Sequence, residues 1–195
     1  MTKVRVVEMK ITELELEGVK IIEPKVFEDY RGYYMESYSA RTMKQNGIDI
    51  VFVQDNHLCS LKANTIRGIH FQNNPKAQAK LLRCTKGSIL DIVVDLRKDS
   101  PTYKKYITVT LTAESKKQIL IPRGFGHACM SLEDDTEVQY KVDEFYEPEF
   151  DRAIAWNDPE LNIDWGTNEP IVSPKDANAP FLKDSDVNFT MELNK

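Results

Sequence analysis

The sequence of 195 residues predicts a single all-β domain, a sandwich or barrel of short strands with few short helices. Three observations support this fold class. Apolar and polar residues alternate with a period of two through the middle of the chain, turn-forming residues interrupt these patterns, and one segment carries the signals of a helix. The length suits one hydrophobic core, because single cores commonly serve about 100–200 residues.

Three predicted strands lie in this middle region, at 88–96, 106–112 and 137–142. In each of them apolar residues occupy every second position, a pattern typical of a strand with one buried face. Asp91 and Asp95 fall at alternate positions of the first strand, on the face opposite its apolar residues. The strands are separated and flanked by turn signals: Asn73-Asn74-Pro75, Lys86-Gly87, Asp99-Ser100-Pro101 and Asp134-Asp135.

The predicted helix covers about 40–46, with Ser39 as its N-cap and Gly47 in the C-terminal glycine position. From position 158 onward the chain becomes polar and contains several prolines. We expect this part to be an ordered extension of the same domain, with the core at about 18–165 and the extension at 166–195.

The composition is that of an ordinary globular protein, with 41% apolar and 29% charged residues. The formal net charge of -5 argues against nucleic acid as a partner, because nucleic-acid binding needs a basic surface that replaces counterions. A phosphorylated small molecule remains compatible with this charge, since a few local Arg and Lys side chains can hold a diphosphate.

The cysteines and the N-terminus indicate a cytoplasmic protein. Cys59, Cys84 and Cys129 form an odd set without a CxxC pair, which predicts reduced thiols rather than disulfides or a zinc site. Residues 1–18 contain a charged residue every few positions and no apolar run, so we expect neither a signal peptide nor a membrane span.

Two of the three histidines lie in contexts that favour function. His70 belongs to the stretch RGIHFQ, where polar groups crowd an otherwise apolar strand, and His127 ends PRGFGH, directly after an apolar run at 119–121. A histidine at the end of a strand and after a glycine turn commonly points into the mouth of a barrel. His57 lacks such a context, and a structural role is the simpler interpretation for it.

The stretch PRGFGH fits the PxGxxH half of the metal-binding cupin signature. The other half requires an HxH pair followed by a carboxylate, but Gln72 takes the place of its second histidine and no Glu follows at a useful spacing. Ser131 stands where the signature has Asn. Because iron, zinc and manganese favour three or four His and carboxylate ligands, the sequence predicts a cupin barrel without a metal.

A metal-free barrel lined by His, Lys, Tyr and Arg suits proton transfer beside a carbonyl group. Histidine is a suitable base because it titrates near neutrality, and Lys80 or Arg67 could hold the charge that develops on the enolate oxygen. Tyr140 shares the buried face of its strand with Val138 and Val142, which makes it a candidate for the second acid. Packing alone would also explain Tyr140, and Lys80 could equally be a surface lysine.

Nine stretches follow one another in order along the chain: PKVFEDYRGYYMES, FVQDN, IRGIHFQ, PKAQAKLLR, GSILDIVVDLRKDSPTY, IPRGFGH, YKVDEFYEP, IAWNDPELNIDW and VSPKDANAP. In these stretches the sequence resembles the dTDP-4-dehydrorhamnose 3,5-epimerase family, from about residue 18 to residue 180. Together they are far more specific than any one of them.

The resemblance implies a jelly-roll cupin that uses no cofactor and is usually a homodimer with exchanged N-terminal strands. It implies that His70 is the general base, that Asp176 pairs with it, that Tyr140 is the acid on the opposite face and that Lys80 stabilises a C4 enolate. Eight further residues fall where the family contacts its sugar nucleotide: Arg31, Glu36, Gln54, Asn56, Arg67, His127, Tyr146 and Lys175.

The implied reaction inverts C3 and C5 of dTDP-4-dehydro-6-deoxy-D-glucose and gives dTDP-4-dehydro-L-rhamnose. A single-carbon (3- or 5-) epimerase or a 3,4-ketoisomerase on a related 4-keto sugar nucleotide shares the same barrel. A non-catalytic sugar-binding cupin is the alternative from a different class. Such a binder would tolerate loss of the base or the acid, whereas all four implied catalytic residues are present.

One local conflict and two departures accompany the resemblance. Strict strand alternation puts Arg67 and His70 on opposite faces, so both reach one pocket only if a bulge or twist lies near Gly68. The stretch GFGHAC replaces the commoner GFAHGF, which keeps His127 but changes its surroundings, and the loop at 72–75 has paired asparagines. Both departures could tune the choice of substrate, and neither removes a catalytic residue.

Overall fold

The computed structural model describes residues 9–192, and over that range it is mostly β-sheet with few short helices, which confirms the predicted fold class. Eleven strands of this part form two antiparallel sheets packed face to face, the arrangement of a jelly roll. The larger sheet contains, in spatial order, β1 (Lys10–Glu13), β2 (Lys20–Glu23), β10 (Gln118–Ile121), β7 (Lys80–Lys86), β12 (Thr136–Val142) and β5 (Gln54–Ser60). The smaller sheet contains β13 (Asp151–Ala153), β6 (Ile66–Gln72), β11 (Phe125–Ser131), β8 (Ser88–Asp95) and β9 (Tyr106–Thr112). A separate hairpin consists of β3 (Val26–Asp29) and β4 (Gly32–Met35).

One apolar cluster fills part of the space between the two sheets. Leu82 and Val138 enter it from the larger sheet, and Val93 and Cys129 enter it from the smaller one. Tyr140 packs against the same cluster. Because side chains of this cluster also border the cavity described below, the core supports the functional site directly.

A second apolar cluster covers the outer face of the smaller sheet. Ile92 and Val94 of β8 pack there against three side chains from the C-terminal part of the chain, Trp165, Leu182 and Phe189. The C-terminal part is thereby fixed against β8, and this packing buries the smaller sheet on both faces.

The predicted strands are mostly confirmed, with one correction. β9 covers the predicted range, and β12 begins one residue earlier than predicted. For β8 the prediction of a single buried face is wrong, because Asp91 and Asp95 are both fully buried at 0% exposure. The apolar face of β8 lies under the C-terminal part, while its other face also carries core residues such as Val93.

The helix prediction is confirmed to within one residue. Helix α1 spans Ala40–Gln45, and the hydroxyl of Ser39 accepts a hydrogen bond from the amide of Thr42. Gly47 follows the helix with φ at +81°, a conformation that favours glycine. A second short helix, α2 (Pro174–Ala177), and a 3-10 turn at Leu182–Asp184 lie in the C-terminal part. Within residues 9–192, no helix is long and apolar enough to cross a membrane.

A bulge in β6 resolves the conflict between Arg67 and His70. His127 of β11 pairs with His70, whereas Cys129, two residues further, pairs with Arg67, three residues back along β6. The additional residue shifts the alternation, as a β-bulge does. Gly68 has φ at +128°, and a Cβ atom there would lie 2.5 Å from the Cβ of Ala128, so the close approach of the two strands requires glycine. The predicted bulge is confirmed.

Candidate active site

A cavity of about 370 Å³ opens between the two sheets next to the inter-sheet core. This volume is in the range of pockets that hold small molecules. Nine of the twelve residues proposed from the sequence line it: Gln54, Asn56, Arg67, His70, Lys80, His127, Tyr140, Tyr146 and Lys175. The predicted site is thus assembled largely from strands of both sheets, as expected for the interior of a barrel.

His70 and Asp176 form a hydrogen-bonded pair. Nε2 of His70 lies 2.6 Å from Oδ1 of Asp176, whose side chain is 4% exposed. Burial alone would raise the pKa of Asp176, but the hydrogen bond and charge of His70 outweigh it, so the pKa lies below its usual value. An ionised carboxylate only accepts hydrogen bonds, so it assigns a proton to Nε2 and leaves the other ring nitrogen of neutral His70 as a base.

The local sequence explains how Asp176 reaches the histidine. A parallel bridge between Thr65 and Ile171 places the C-terminal segment beside the start of β6. Ser173 then caps α2 by accepting a hydrogen bond from the amide of Asp176, and Pro174 occupies the first turn, where its missing N–H is no loss. The cap and the proline start a helix that holds the carboxylate against β6.

Lys80 is buried at the first position of β7 and points across the cavity. Its ammonium group donates a hydrogen bond to the backbone carbonyl of His70 at 3.3 Å. Burial lowers the pKa of Lys80 to about 8, although the nearby carboxylate of Asp91 acts in the opposite direction. A surface position for Lys80 is therefore wrong, because the residue is 9% exposed and part of the cavity wall.

His127 lies directly beside His70 as its partner in the β6–β11 register. Its Nε2 atom is 2.8 Å from Oδ2 of Asp91, which is fully buried. Each of the two histidines therefore has one ring nitrogen hydrogen-bonded to a carboxylate oxygen. The pair of His127 and Asp91 gives Oδ2 of Asp91 a hydrogen-bonding partner inside β8, as a buried carboxylate requires.

Tyr140 faces His70 from the other sheet. It lies on β12 of the larger sheet, between Asn56 of β5 and Leu82 of β7 in the register, whereas His70 belongs to the smaller sheet. Both side chains line the same cavity. Burial raises the pKa of Tyr140, so its hydroxyl remains protonated at neutral pH and can donate a proton.

The mouth of the cavity carries polar and aromatic groups. The guanidinium of Arg67 bonds to the hydroxyl of Ser60 at 3.2 Å and to the carbonyl of Cys59 at 2.8 Å, which fixes its direction. Tyr146 is half exposed at this mouth, and Lys175 lies close to it. The mouth thus presents two cations and a flat ring to solvent.

Three of the twelve proposed residues are not part of the cavity wall: Asp176, which bonds to His70, and Arg31 and Glu36. Arg31 is bonded to Asp29 within the β3–β4 hairpin, and Glu36 accepts a hydrogen bond from Thr42 at 2.6 Å. His57 is exposed on the outer face of the larger sheet and bonds to Glu137. The structural interpretation of His57 therefore agrees with its position.

The structure adds cavity residues that sequence reasoning had not assigned. Asp151 lines the cavity next to Tyr146 and Lys175, and no motif pointed to it. Cys129 also lines it, and the unusual stretch GFGHAC was the one signal for a change at this place. Burial raises the pKa of Cys129 to about 12, so this thiol stays protonated.

The cavity has few groups that could hold a metal. Gln72, at the position of the second cupin histidine, donates its amide N–H groups to the carbonyls of Lys76 and Phe145. Among residues 9–192, no group of three or more His, Cys, Asp or Glu side chains is arranged to hold a metal ion.

The fold and the site together define a class of protein. Two antiparallel sheets form a jelly roll with a polar cavity between them, which is the architecture of a cupin barrel. The histidine–carboxylate pair, the buried lysine and the tyrosine on the facing sheet equip this barrel for proton transfer. The class is thus that of cupin-fold proteins whose cavity carries groups able to transfer protons.

Comparison with known proteins identifies the family. The family model described as dTDP-4-dehydrorhamnose 3,5-epimerase matches residues 13–184, and the chain belongs to this family of isomerases. The dTDP-4-dehydrorhamnose 3,5-epimerase of Shigella flexneri is 43% identical over 179 residues, which are 91% of this chain and 98% of that protein. The resemblance seen in the sequence is confirmed.

Solved structures agree with this assignment. The Bacillus anthracis dTDP-4-dehydrorhamnose 3,5-epimerase, with TDP and PPi bound, has 46% identity and a TM-score of 0.88, covering 90% of this chain and 100% of that chain. The Legionella pneumophila 3,5-epimerase in complex with dTDP-4-keto-L-rhamnose has 38% identity and a TM-score of 0.86, and the match covers 96% of this chain and 97% of that chain. A 3'-monoepimerase from Streptomyces bikiniensis in complex with dTDP-quinovose has 35% identity and a TM-score of 0.82, and the match covers 87% of this chain and 86% of that chain. Enzymes that invert one carbon therefore share this fold.

Proposed function

We propose that the protein inverts both C3 and C5 of dTDP-4-dehydro-6-deoxy-D-glucose and releases dTDP-4-dehydro-L-rhamnose. The observation that carries this proposal is the placement of His70 and Tyr140 on facing sheets of one cavity. Inversion requires that a proton leaves one face of the sugar ring and returns to the other. A base and an acid on opposite walls meet that requirement, whereas a sugar-binding protein has no need of it.

In the proposed reaction His70 takes the proton from the carbon next to the C4 carbonyl. The C–H electron pair forms the C–C double bond, and the carbonyl oxygen becomes an enolate oxygen. The Lys80 ammonium donates a hydrogen bond to this oxygen, and the dry surroundings that lower the pKa of Lys80 also strengthen that interaction. Tyr140 then donates its hydroxyl proton to the opposite face of the same carbon, and the carbonyl reforms.

The imidazolium that forms on His70 is stabilised by the ionised carboxylate of Asp176. Exchange with solvent returns His70 to its neutral form and Tyr140 to its protonated form before the second carbon reacts. The same two residues therefore serve C3 and C5 if the sugar ring changes its conformation between the two steps.

The nucleotide is proposed to lie along the mouth of the cavity. The half-exposed ring of Tyr146 offers a stacking surface for a base, and Arg67 and Lys175 offer positive charge to a diphosphate. Gln54 and Asn56 supply amide groups on the same wall. This arrangement leaves the inner part of the cavity, with His70, for the sugar.

Arg31 and Glu36 are proposed to reach the substrate of a second chain in a homodimer. The hairpin that carries Arg31 at its turn pairs with neither sheet within the described residues, and it exposes Tyr30 and Tyr34 at 96% and 71%. A partner surface would cover these rings. Mixing Arg31→Ala chains with His70→Asn chains tests this, because a heterodimer then has one complete site and regains activity. Two inactive variants that stay inactive after mixing, with exchange of chains demonstrated, would contradict the shared site.

We also propose a cytoplasmic location, in keeping with the three unpaired cysteines.

A single-carbon epimerase is the second candidate for the reaction, because a 3'-monoepimerase shares the fold. Incubation with dTDP-4-dehydro-6-deoxy-D-glucose in heavy water separates the candidates by NMR of the recovered sugar. Deuterium at both C3 and C5 with inversion at both carbons is expected, deuterium at one carbon would support the narrower enzyme, and no deuterium would support a binding protein.

A further inference from the structure

Asp151 is a carboxylate of the cavity that takes no part in the proposed proton transfers. It is the first residue of β13, and its side chain is 15% exposed. Its Oδ2 atom accepts two hydrogen bonds, one from the hydroxyl of Tyr146 at 3.1 Å and one from the ammonium group of Lys175 at 2.5 Å. One carboxylate oxygen thus joins the aromatic ring and the cation at the mouth of the cavity.

The backbone around Tyr146 is held separately from its side chain. Gln54 accepts a hydrogen bond from the amide of Tyr146 at 3.3 Å, and Gln72 accepts one from the amide of Glu147 at 2.7 Å. Among residues 9–192, Asp151 is the one side chain that bonds the Tyr146 hydroxyl or the Lys175 ammonium group. Loss of the carboxylate therefore frees the Tyr146 hydroxyl and the Lys175 ammonium group. The hydrogen bonds to the amides of Tyr146 and Glu147 still hold the backbone in place.

The charge of Asp151 acts on both partners. Burial raises the pKa of Tyr146, and the charge and hydrogen bond of Asp151 raise it further. Burial alone would lower the pKa of Lys175, but the hydrogen bond and charge of Asp151 outweigh it and the pKa is raised. Asp151 therefore favours the protonated, hydrogen-bonded forms of both side chains.

We propose that Asp151 is a positioning residue that holds Tyr146 and Lys175 in place for the nucleotide part of the substrate before it binds. This inference rests on the proposed function. A half-exposed tyrosine and an exposed lysine otherwise sample several rotamers, and binding must then immobilise them. With the carboxylate present, this ordering has already occurred in the free protein.

The direction in which Asp151→Asn changes the affinity for dTDP separates a positioning role from simple charge repulsion. A carboxylate beside a diphosphate repels it, so removing the charge by Asp151→Asn would tighten the binding of dTDP if repulsion were its main effect. Positioning has the opposite consequence. We expect Asp151→Asn to weaken dTDP binding and raise KM roughly 5- to 150-fold, the range for two side chains that must be ordered on binding, with kcat changed less than about threefold.

The experiment compares wild type, Asp151→Asn and Asp151→Glu, with Asp186→Asn as a matched control. Asp186 is also ion-paired, with Arg152, but it lies outside the cavity. Calorimetry with dTDP gives Kd, and thermal unfolding verifies that each variant is folded. Partial recovery in Asp151→Glu and no change in Asp186→Asn are expected. Tighter binding in Asp151→Asn, or an equal loss in the control, overturns the proposal.

A second comparison tests whether Asp151 acts through its two neighbours. In a chain that already carries Tyr146→Phe and Lys175→Met, adding Asp151→Asn should change Kd less than about twofold, because contacting side chains are not additive. An undiminished loss would mean that Asp151 touches the ligand itself and would overturn the positioning role. If wild type binds dTDP but exchanges no sugar protons, the proposed reaction fails while this comparison remains valid.

A titration of the free protein provides a readout that needs no substrate. NMR of ring-labelled tyrosine, assigned by the loss of one signal in Tyr146→Phe, follows the Tyr146 hydroxyl. Its pKa should fall in Asp151→Asn, because the carboxylate that raises it is gone, and should return toward the wild-type value in Asp151→Glu. An unchanged titration contradicts the proposal even if the dTDP affinity falls.

Discussion

Nε2 of His70 lies 2.6 Å from Oδ1 of Asp176, although the two residues are 106 positions apart in the chain. The pair connects β6 of the smaller sheet to the C-terminal helix α2. The carboxylate accepts the hydrogen bond of Nε2, which leaves the other ring nitrogen of His70 available as a base. When that nitrogen takes up a proton, the same carboxylate stabilises the imidazolium that forms. The C-terminal part of the chain thus completes the proposed catalytic base.

Substitution of the two members of this pair should give losses of different size. His70→Asn removes the base, so proton exchange at C3 and C5 should fall by about 10²–10⁴-fold or more. Asp176→Asn keeps a hydrogen-bonding group but removes the charge, so the loss should be about 10- to 150-fold, as for one charged hydrogen bond. Deuterium incorporation measures both rates, and dTDP binding, which should be nearly unchanged, is the control. More than about a tenth of wild-type exchange in His70→Asn would exclude His70 as the base.

The buried position of Lys80 predicts an alkaline limit to activity. Burial lowers the pKa of Lys80 to about 8, so in the free enzyme the ammonium group that we propose to hold the enolate oxygen loses its proton as the pH rises through that value. We expect kcat/KM, which reports on free enzyme, to fall above about pH 8. In Lys80→Arg the residual activity should lack this fall, because a guanidinium stays charged over the whole range. The same alkaline fall in both proteins would assign it to another group.

Local patterns in the sequence were sufficient for the elements whose signals are local. The period of two placed β9 correctly, and the cap residues Ser39 and Gly47 placed α1. The burial of Asp91 could not be predicted in this way, because it depends on His127 from another strand and on the larger sheet that packs over this face of β8. Alternation reports which residues share a face, but it does not report what lies against that face.

The same distinction applies to the site. His70 and Tyr140 could be proposed from residue type, strand alternation and the family resemblance, and they do line one cavity. Asp151 could not, because its position follows from the short pairing of β13 with β6, which brings it opposite Gln72. A strand of three residues, such as β13, is too short for an alternating pattern to be recognised in the sequence. The bulge at Gly68 could be foreseen only because two proposed residues otherwise pointed in opposite directions.

Thorough chelation should leave activity unchanged, and no stoichiometric metal should copurify with the protein. The reason lies in the ligand set, because Oε1 of Gln72 already accepts a hydrogen bond from the amide of Glu147, and among residues 9–192 no group of three or more His, Cys, Asp or Glu side chains is arranged to hold a metal ion. Incubation with a strong chelator followed by the exchange assay measures this, with elemental analysis of the same sample. About one zinc or iron per chain, with activity that is lost on its removal and restored on its return, would contradict the expectation.

Tyr140 can be tested as an acid rather than as a packing residue by measuring two rates in one variant. If Tyr140 only fills space beside the inter-sheet core, Phe replaces it almost isosterically and costs little beyond one hydrogen bond, about 1 kcal/mol. Both proton exchange and inversion would then fall slightly and equally.

If Tyr140 instead delivers the proton from the larger sheet, Tyr140→Phe leaves the base untouched. His70 still removes a proton and can return a deuteron to the face from which it came, so deuterium should continue to enter the recovered substrate. Inverted product should fall by about 10²–10⁴-fold, because no positioned acid remains on the other wall. The comparison uses one sample in heavy water, with NMR of substrate and product and with thermal unfolding to verify the fold. Equal, modest losses in the two rates would make Tyr140 structural and would assign the second proton to another group or to water.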